Sequence, residues 1–203
     1  MWVVKLGGSL SESTQLKSWV DTISNHARGR AVIVPGGGLF ADVVRASQKA
    51  FRFGDDVAHH MALLAMEQYG LLLCSMAKNF RPATTEADFD RIISQNDIPV
   101  WMAPTLALAD KSIPTNWEVT SDSLSAWLAS RLGAQVLFLV KSVVQTTQST
   151  TVGRLITSAI VDPAFSRFAD LSKYQVRIMG KDDHDLMRHA LAANELCGTR
   201  VTN

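Results

Sequence analysis

The residues with the clearest chemical potential lie near the start of the chain, where a lysine is followed closely by glycines. Lys5 ends a short β-rich run, and Gly7, Gly8 and Ser9 follow almost directly. Because glycine has no Cβ, a glycine turn lets backbone N–H groups come close to an anion. A buried strand that ends in this way would deliver one positive charge to the edge of a site. Taken alone, the pattern is equally consistent with an anion-binding site and with a tight turn that leaves the lysine in solvent.

A second glycine-rich turn has the same placement. Residues 31–34 (AVIV) form a continuous apolar run of strand length, and Gly36, Gly37 and Gly38 follow after a proline. Residues 39–50 then have the spacing of a helix. A glycine turn at a helix N-terminus suits a phosphate, because the amides and the helix dipole attract negative oxygens. Ligands of parallel α/β sheets lie beyond the carboxyl ends of the strands, so both turns are expected to line one crevice.

A third candidate group consists of Thr120, Ser121 and Asp122, which precede an apolar run with helical spacing. One of the three is expected to cap this helix, and a plain cap needs only one of them. The functional alternative is that Asp122 orients Lys5 or another cation through a charge-assisted hydrogen bond. A further lysine, Lys141, stands at the carboxyl end of the next predicted strand.

The residues from Gly36 to Ala41 also fit the G-x-G-x-x-A fingerprint of dinucleotide-binding proteins. That interpretation needs an acid at the end of the following strand, about 20 residues further on. Asp55 and Asp56 have the spacing, but the intervening residues 40–53 are helix-like, so we disfavour a dinucleotide site. The chain also lacks the GxxxxGK[ST] sequence and the HRD and DFG elements, which excludes P-loop NTPases and protein kinases.

The composition is that of a globular protein with balanced charge. The 203 residues include 20 Lys and Arg and 19 Asp and Glu, a formal net charge of +1. A nucleic-acid-binding protein normally shows a basic excess, so we expect no such partner. The two cysteines and five histidines lack metal-ligand spacing, so we predict free thiols and no metal-ligating residues. No apolar run approaches the ~20 residues that span a bilayer, and the N-terminus lacks a signal-peptide pattern. We therefore expect a cytoplasmic protein without membrane contact.

The elements that must position these residues alternate between strand and helix. Residues 2–50 are predicted as strand, helix, strand, glycine turn and helix, which is typical of an α/β layer with a parallel sheet. A long helix rich in Ala, Leu and Met is predicted over residues 57–78. Its apolarity suits a central or subunit-contact helix, so a homodimer or larger homo-oligomer is expected. His59 and His60, near its start, are expected to cap or pack.

The rest of the chain is predicted to supply further strands, separated by helices and loops. The predicted strands cover residues 98–102, 135–140, 174–179 and 200–202. Helices are expected after the Thr120 cap and after residue 183. Three segments are interpreted as lacking a clear helix or strand: residues 82–90, residues 106–113 (a loop or short strand) and residues 145–153 (a loop). Asp162 and Pro163 are interpreted as a turn.

Three stretches resemble the amino acid kinase superfamily in order and spacing. They are residues 4–9 (VKLGGS), 34–38 (VPGGG) and 119–124 (VTSDSL). The superfamily includes aspartate, acetylglutamate, glutamate 5-, carbamate, uridylate and isopentenyl phosphate kinases. Residues 180–186 and 198–199 resemble the closing element of its smaller members. A narrower resemblance, carried by residues 58–62, 65–68 and 117–122, is to the aminomethylfuran phosphate kinase type of methanofuran biosynthesis.

This resemblance implies a three-layer αβα sandwich around a mainly parallel sheet, formed by a single domain over residues 1–203. The acceptor-binding half would cover about residues 1–115 and the nucleotide-binding half about residues 116–203. The implied activity is that of an ATP-dependent kinase, with Mg²⁺ accompanying ATP and a small molecule accepting the phosphoryl group. The narrower resemblance implies that this acceptor is a phosphate monoester similar to aminomethylfuran phosphate.

The resemblance also assigns roles to the residues that match its motifs. Lys5 would bridge the transferring phosphoryl group, and Asp122 would organise the lysines around it. The residues that would hold the nucleotide phosphates are Gly7, Gly8 and Ser9. The residues that would face the acceptor or the γ-phosphate are Gly36, Gly37 and Gly38, with Thr120 and Ser121 beside them.

Two departures from the superfamily pattern concern the nucleotide-binding half. Many members carry Thr-Asp-x-x-Gly after the strand matching residues 135–140, where this chain has VKSVV at residues 140–144. Many also carry Gly-Gly-Met and a second catalytic lysine, and neither occurs in residues 145–161. Lys141 or Lys181 is therefore expected to supply the second cation at the nucleotide. The alternatives are a non-catalytic binding or regulatory protein of the same fold and an acyl-phosphate-forming amino acid kinase.

Overall fold

The structure, a computed structural model, describes residues 1–142 and 148–203 and arranges them around one sheet. Its strands are β1 (Trp2–Leu6), β2 (Ala31–Pro35), β3 (Phe80–Ala83), β4 (Ile98–Trp101), β5 (Val136–Lys141), β6 (Ser149–Thr151), β7 (Gln175–Gly180) and β8 (Thr199–Thr202). The order across the sheet is β3-β4-β2-β1-β5-β7-β8-β6. Neighbouring strands are parallel except β7 and β8. The predicted α/β fold with a mainly parallel sheet is confirmed.

Helices cover both faces of this sheet. They are α1 (Gln15–His26), α2 (Gly38–Phe51), α3 (Asp55–Met76), α4 (Glu86–Ser94), α5 (Pro104–Ala109), α6 (Ser121–Arg131), α7 (Val152–Thr157), α8 (Phe165–Phe168) and α9 (His184–Ala193), with a 3₁₀ helix at Gly8–Glu12. Side chains alternate across a strand, so Val3 and Val4 enter different hydrophobic cores. Helices α1 and α9 pack together over one core, and α6 and α8 over the other. None of the described helices is long and apolar enough to cross a membrane.

Two segments that were predicted to be irregular are regular in the structure. Residues 106–113 were expected to form a loop or short strand, but α5 begins at Pro104 and covers the first half of this segment, to Ala109. Proline is well suited to the first helical turn, where its missing N–H would have no partner in any case. Residues 82–90 were interpreted as polar and helix-poor, yet they contain the end of β3 and the start of α4. A capping box between Thr85 and Asp88 begins α4.

The prediction of a loop over residues 145–153 is also wrong in its described part. Strand β6 occupies Ser149–Thr151 and pairs with β8, and α7 begins at Val152. The side chain of Thr151 caps α7 by accepting a hydrogen bond from the backbone N–H of Arg154. The remainder of the predicted loop, up to residue 147, lies outside the described residues. Pairing with a distant strand, rather than local sequence, makes β6 extended.

The register of the three central strands brings their carboxyl ends to one line. Leu6 at the end of β1 lies opposite Pro35 on β2 and opposite Val140 on β5. The glycine turn after β1 and the glycine turn after β2 therefore emerge side by side, as the sequence predicted. The backbone N–H of Gly36 donates to the Leu6 carbonyl oxygen at 2.9 Å, which ties the two turns together.

These two turns approach each other so closely that only glycine fits at the contact. A Cβ placed on Gly36 would lie 2.3 Å from the backbone nitrogen of Gly8, and one placed on Gly8 would lie 2.3 Å from the backbone nitrogen of Gly38. Both obstacles are backbone atoms, so no side-chain movement could relieve the overlap. The absence of a Cβ at these positions is what allows the amides of two strand ends to share one small volume.

We predict that Gly36→Ala destabilises the protein by about 3 kcal/mol, the upper range for overpacking a close contact. The matched control is Gly153→Ala in helix α7, where an added Cβ meets no atom within 4 Å. That change should leave the stability equal or raise it by ~0.5–1 kcal/mol, because alanine restricts the unfolded chain. Urea denaturation measures both variants, and equal stabilities of the two would contradict the close approach.

Candidate active site

Three charged side chains meet beneath the two glycine turns. Lys5 lies on the central strand β1 and is 3% exposed, and Asp122 in the first turn of α6 is 5% exposed. The Lys5 Nζ lies 2.8 Å from the Asp122 Oδ1 atom. The Lys141 Nζ, at the end of β5, donates a hydrogen bond of 2.6 Å to the Asp122 Oδ2 atom. One carboxylate therefore binds two ammonium groups, as the predicted organising role of Asp122 requires.

The electrostatics of this cluster favour a bound anion. Burial disfavours the charged form of Asp122, but the two lysines outweigh it and hold its pKa below the ordinary value. Burial, together with the neighbouring charge of Lys5, lowers the pKa of Lys141 to about 8, although Asp122 acts in the opposite direction. The buried Lys5 and the partly exposed Lys141 thus share one directly bound carboxylate. An anionic oxygen placed beside them would stabilise their charged forms.

The position of Asp122 depends on a second aspartate, Asp162. Its Oδ2 atom accepts hydrogen bonds from the Thr120 N–H at 2.9 Å, the Thr120 hydroxyl at 2.7 Å and the Ser123 N–H at 3.0 Å. Its Oδ1 atom accepts a further hydrogen bond from the Ser123 hydroxyl. Thr120 is the N-cap of α6, so one of the three predicted capping residues is confirmed in that role. Asp162 fixes the start of the helix that carries Asp122.

Two cavities meet at the lysine and the first glycine turn. The smaller has a volume of about 330 Å³ and the larger about 880 Å³. Lys5, Gly8 and Ser9 line both cavities. The predicted residues that line only the smaller one are Gly37, Gly38, Thr120, Ser121 and Asp122. The predicted residues that line only the larger one are Gly7 and Lys141.

Two predicted site residues do not line either cavity. Gly36 lines neither of these cavities and instead packs against Gly8, where it sets the spacing of the turns. Lys181 is also absent from the lining of both cavities. Its carbonyl oxygen accepts a hydrogen bond of 2.7 Å from the Trp19 indole N–H, which ties the end of β7 to α1. Of the two lysines offered for the second cation, Lys141 is the one that contacts Asp122.

His59 lies in the smaller cavity, although the sequence suggested only capping or packing for it. It is 7% exposed, and none of the described residues forms a hydrogen bond with its imidazole. Burial, with a further contribution from His60, lowers the pKa of His59 below the ordinary histidine value. At neutral pH its ring is therefore uncharged, with one nitrogen able to donate a hydrogen bond and the other to accept one.

The outer wall of the smaller cavity is formed by a stacked pair that the sequence did not single out. The Arg45 guanidinium carbon lies 4.4 Å from the centroid of the Trp117 ring. The Trp117 indole N–H donates a hydrogen bond of 2.6 Å to the Gln48 side-chain oxygen. Asp42 and Arg45 both line the cavity from α2.

Arg154 lines the larger cavity and was not predicted as a site residue, because it lies next to the segment that was interpreted as a loop.

The donor set does not match a metal site held by the protein. Among residues 1–142 and 148–203, no group of three or more His, Cys, Asp and Glu side chains is placed to hold a metal ion. Asp122, the buried carboxylate that lines the smaller cavity, is already bound by two ammonium groups. Any Mg²⁺ at this site would therefore be held mainly by the phosphates of a nucleotide.

The fold is that of small-molecule kinases of known structure. It matches uridylate kinase from Archaeoglobus fulgidus with a TM-score of 0.75 at 18% identity, over 99% of each chain. It matches isopentenyl phosphate kinase with a TM-score of 0.64 at 14% identity, over 100% of each chain. Residues 1–145 match the amino acid kinase family. The chain belongs to the amino acid kinase family, as the sequence motifs indicated.

A relative of assigned activity is more similar in sequence. The [5-(aminomethyl)furan-3-yl]methyl phosphate kinase of Methanocaldococcus jannaschii is 29% identical over 146 residues, which cover 70% of this chain. The match spans 66% of that relative, about two thirds of its length. The family match covers residues 1–145, and the match to this relative covers 146 residues. The structural match to uridylate kinase extends over 99% of the chain.

We predict that Asp122→Asn lowers the free energy of unfolding by about 3 kcal/mol, because it leaves the buried Lys5 ammonium and the partly exposed Lys141 ammonium without their directly bound counter-charge. The control is Asp182→Asn, an exposed carboxylate that should change stability by less than ~0.5 kcal/mol. Urea denaturation at neutral pH measures both. If the Asp122 variant unfolds at the same urea concentration as the control, the lysines do not depend on this carboxylate.

Proposed function

We propose that this protein is an ATP-dependent kinase that transfers the γ-phosphoryl group to a small phosphate monoester. The observation that carries the proposal is the meeting of two cavities at Lys5, Gly8 and Ser9, directly above the cluster of two lysines and Asp122. A transfer between two substrates needs both reacting ends in one place, held in line, with charge stabilisation between them. Two cavities that share their lining at a lysine support such a transfer.

The larger cavity is assigned to ATP and the smaller one to the acceptor. ATP is the bulkier substrate, and the cavity of about 880 Å³ is lined by Lys141 and Arg154, which offer two cations to its phosphates. Gly7 also lines this cavity, but its N–H already donates to the Val140 carbonyl oxygen. The acceptor cavity, of about 330 Å³, combines Lys5 and the second glycine turn with an apolar wall that includes Leu63 and Met66. These assignments follow the two halves that the family resemblance implies.

Catalysis would rest on positioning and on fixed positive charge. The transition state of phosphoryl transfer is loose and spreads negative charge over the transferring oxygens. In the proposed mechanism Lys5, at the junction of the cavities, contacts the transferring group, and Lys141 contacts the nucleotide side. Backbone N–H groups of the two glycine turns add donors that need no reorganisation. Mg²⁺ bound to ATP would neutralise part of the phosphate charge.

A phosphate monoester is supported as the acceptor by two observations. The relative that is 29% identical over 146 residues is a kinase of a methyl phosphate ester. In this chain the acceptor cavity holds Lys5, the uncharged His59 and Arg45, which together suit an anion attached to a small body. A cation stacked on an aromatic ring keeps its N–H edge available to a ligand.

We predict that ADP is released with MgATP and a phosphate monoester, tested first with [5-(aminomethyl)furan-3-yl]methyl phosphate, then with uridylate and isopentenyl phosphate. The comparison set is aspartate and glutamate, whose acyl phosphates are trapped by hydroxylamine. ADP release with a carboxylate alone would support the acyl-phosphate alternative. The absence of ATP binding by calorimetry at millimolar MgATP would support the non-catalytic alternative and overturn the proposal.

We predict that Lys5→Ala lowers turnover by about 10²–10³, the loss expected when a donor that acts in the transition state is removed. Lys181→Ala is the matched control, because it removes a lysine that follows β7, two strands from β1, and that lines neither cavity. Turnover of the control should stay close to that of the unchanged protein. Equal activity of the two variants would contradict the proposed role of Lys5.

A further inference from the structure

Trp117 is the tryptophan of this chain that core packing does not explain. The sequence has five tryptophans. Among residues 1–142 and 148–203, the two hydrophobic cores include Trp2, Trp19, Trp101 and Trp127 but not Trp117. Trp117 lies instead in the segment between α5 and α6, where it is half-buried and lines the smaller cavity. Within the same described residues, the other four tryptophans line neither cavity.

A chain of hydrogen bonds holds the Trp117 ring against α2. Its indole N–H donates to the Gln48 Oε1 atom at 2.6 Å. The Gln48 Nε2 atom donates to the Asp55 Oδ1 atom at 2.7 Å and to the Phe53 carbonyl oxygen at 3.3 Å. Because a carboxylate and a carbonyl oxygen can only accept, the amide nitrogen of Gln48 must face them, and its oxygen is left for the indole. Asp55 thereby decides which end of the Gln48 amide meets Trp117.

The guanidinium of Arg45 is the second restraint on this ring, since its central carbon lies 4.4 Å from the ring centroid. The ion pair of Arg45 with Asp42 is long, at 3.9 Å between the Nη1 and Oδ1 atoms. Trp117 and Arg45 both line the smaller cavity, whereas the described lining of both cavities leaves out Gln48 and Asp55. Two planar groups therefore form one wall of the cavity, and the residues behind them hold that wall in place.

A wall made of two planar, delocalised groups favours a flat ligand. Aromatic rings stack on one another with an offset, and a guanidinium stacks on aromatic faces. A saturated chain of similar size gains contact area at such a wall but no stacking. The same cavity contains Lys5 and the second glycine turn, which suit a phosphate. A phosphate ester bound at Lys5 would have its organic body enclosed by the remaining walls, of which Trp117 is one.

We propose that Trp117 determines the specificity for the acceptor: its ring contacts the acceptor body and selects a small, flat, unsaturated ring over a saturated chain. Gln48 and Asp55 are positioning residues that act through Trp117. The selection among acceptors rests on the proposed function, whereas the contact between the indole and a phosphate ester in the smaller cavity does not. The plainer alternative is that Trp117 only fastens the segment before α6 to α2.

Tryptophan fluorescence tests the contact without any phosphoryl transfer. Titration with furan-3-ylmethyl phosphate in the absence of ATP should change the emission of the unchanged protein, and Trp117→Phe should abolish this change. Trp127→Phe is the matched control and should retain it. Trp127 also donates its N–H to a carboxylate, Asp110 at 2.9 Å, and also lies beside an arginine, Arg131 at 5.3 Å, but it lines neither cavity.

Two results of this titration would overturn the proposal. One is an emission change of equal size in the Trp117 and Trp127 variants. The other is the absence of a change in the unchanged protein, whether or not calorimetry detects binding of the ester.

The selection is tested with furan-3-ylmethyl phosphate and isopentyl phosphate, which have the same number of carbon atoms. The unchanged protein should use the first with a kcat/KM about tenfold higher, the size of effect expected from an aromatic contact. Trp117→Ala should remove this preference by raising the KM of the ring-bearing acceptor about tenfold, with kcat within about twofold, because the contact is made equally in the ground and transition states. The KM for ATP should stay nearly constant, since Trp117 does not line the larger cavity. A preference that survives in Trp117→Ala would overturn the proposal.

A double-mutant cycle tests whether Gln48 acts through Trp117. Gln48→Met keeps the length of the side chain but removes its hydrogen bonds, and it should raise the KM of the ring-bearing acceptor about threefold. In the Trp117→Ala background the same change should have no effect, because the ring that Gln48 positions is gone. Circular dichroism establishes that each variant is folded. Equal effects in both backgrounds would overturn the positioning role, whereas the absence of ADP release with every acceptor, beside the expected fluorescence results, would contradict the proposed function and leave the Trp117 contact standing.

Discussion

The site depends on one buried carboxylate that binds two lysines. Removing charges from water costs several kcal/mol per ion, and a cluster persists only where hydrogen bonds and counter-charges offset that cost. Asp122 supplies one oxygen to each lysine, and Asp162 fixes the helix start that carries it. The cluster brings strands β1 and β5 and helix α6 to one point. Their relative placement therefore decides whether the two cations can act together.

Backbone geometry then determines where those cations can act. The turns after β1 and β2 contact each other so closely that there is no room for a Cβ at Gly8 or Gly36. Their close approach places two sets of amides above Lys5, at the junction of the two cavities. The lysine supplies charge and the amides supply oriented donors, which together suit the charge distribution of a transferring phosphoryl group. The small volume shared by the cavities would keep the reacting ends close.

Much of this arrangement was predictable because its signals are local. Strand–glycine–helix runs mark the carboxyl ends of parallel strands, and those ends must share one edge of the sheet. Asp162 was not predictable as a positioning residue, since an aspartate before a proline resembles a turn and its partners Thr120 and Ser123 lie 42 and 39 residues away. His59 was missed for a similar reason, because only the tertiary packing of α3 places its ring in a cavity. The capping box of α4 could have been recognised in the sequence, but residues 82–90 were interpreted from their polarity alone.

The different surroundings of Lys141 and Lys181 show what the strand order reveals that the sequence pattern does not. Both lysines come at or directly after the end of a parallel strand, so local pattern treats them alike. Strand β5 is the direct neighbour of β1, whereas β7 lies one strand further away, about 9.6 Å from β1 at ~4.8 Å per strand. Lys141 can therefore share the carboxylate that Lys5 uses, and the carbonyl of Lys181 is engaged with Trp19 on another layer. Lys141 is the last residue of β5, so its backbone is held by the sheet itself and its position beside Asp122 does not depend on a loop.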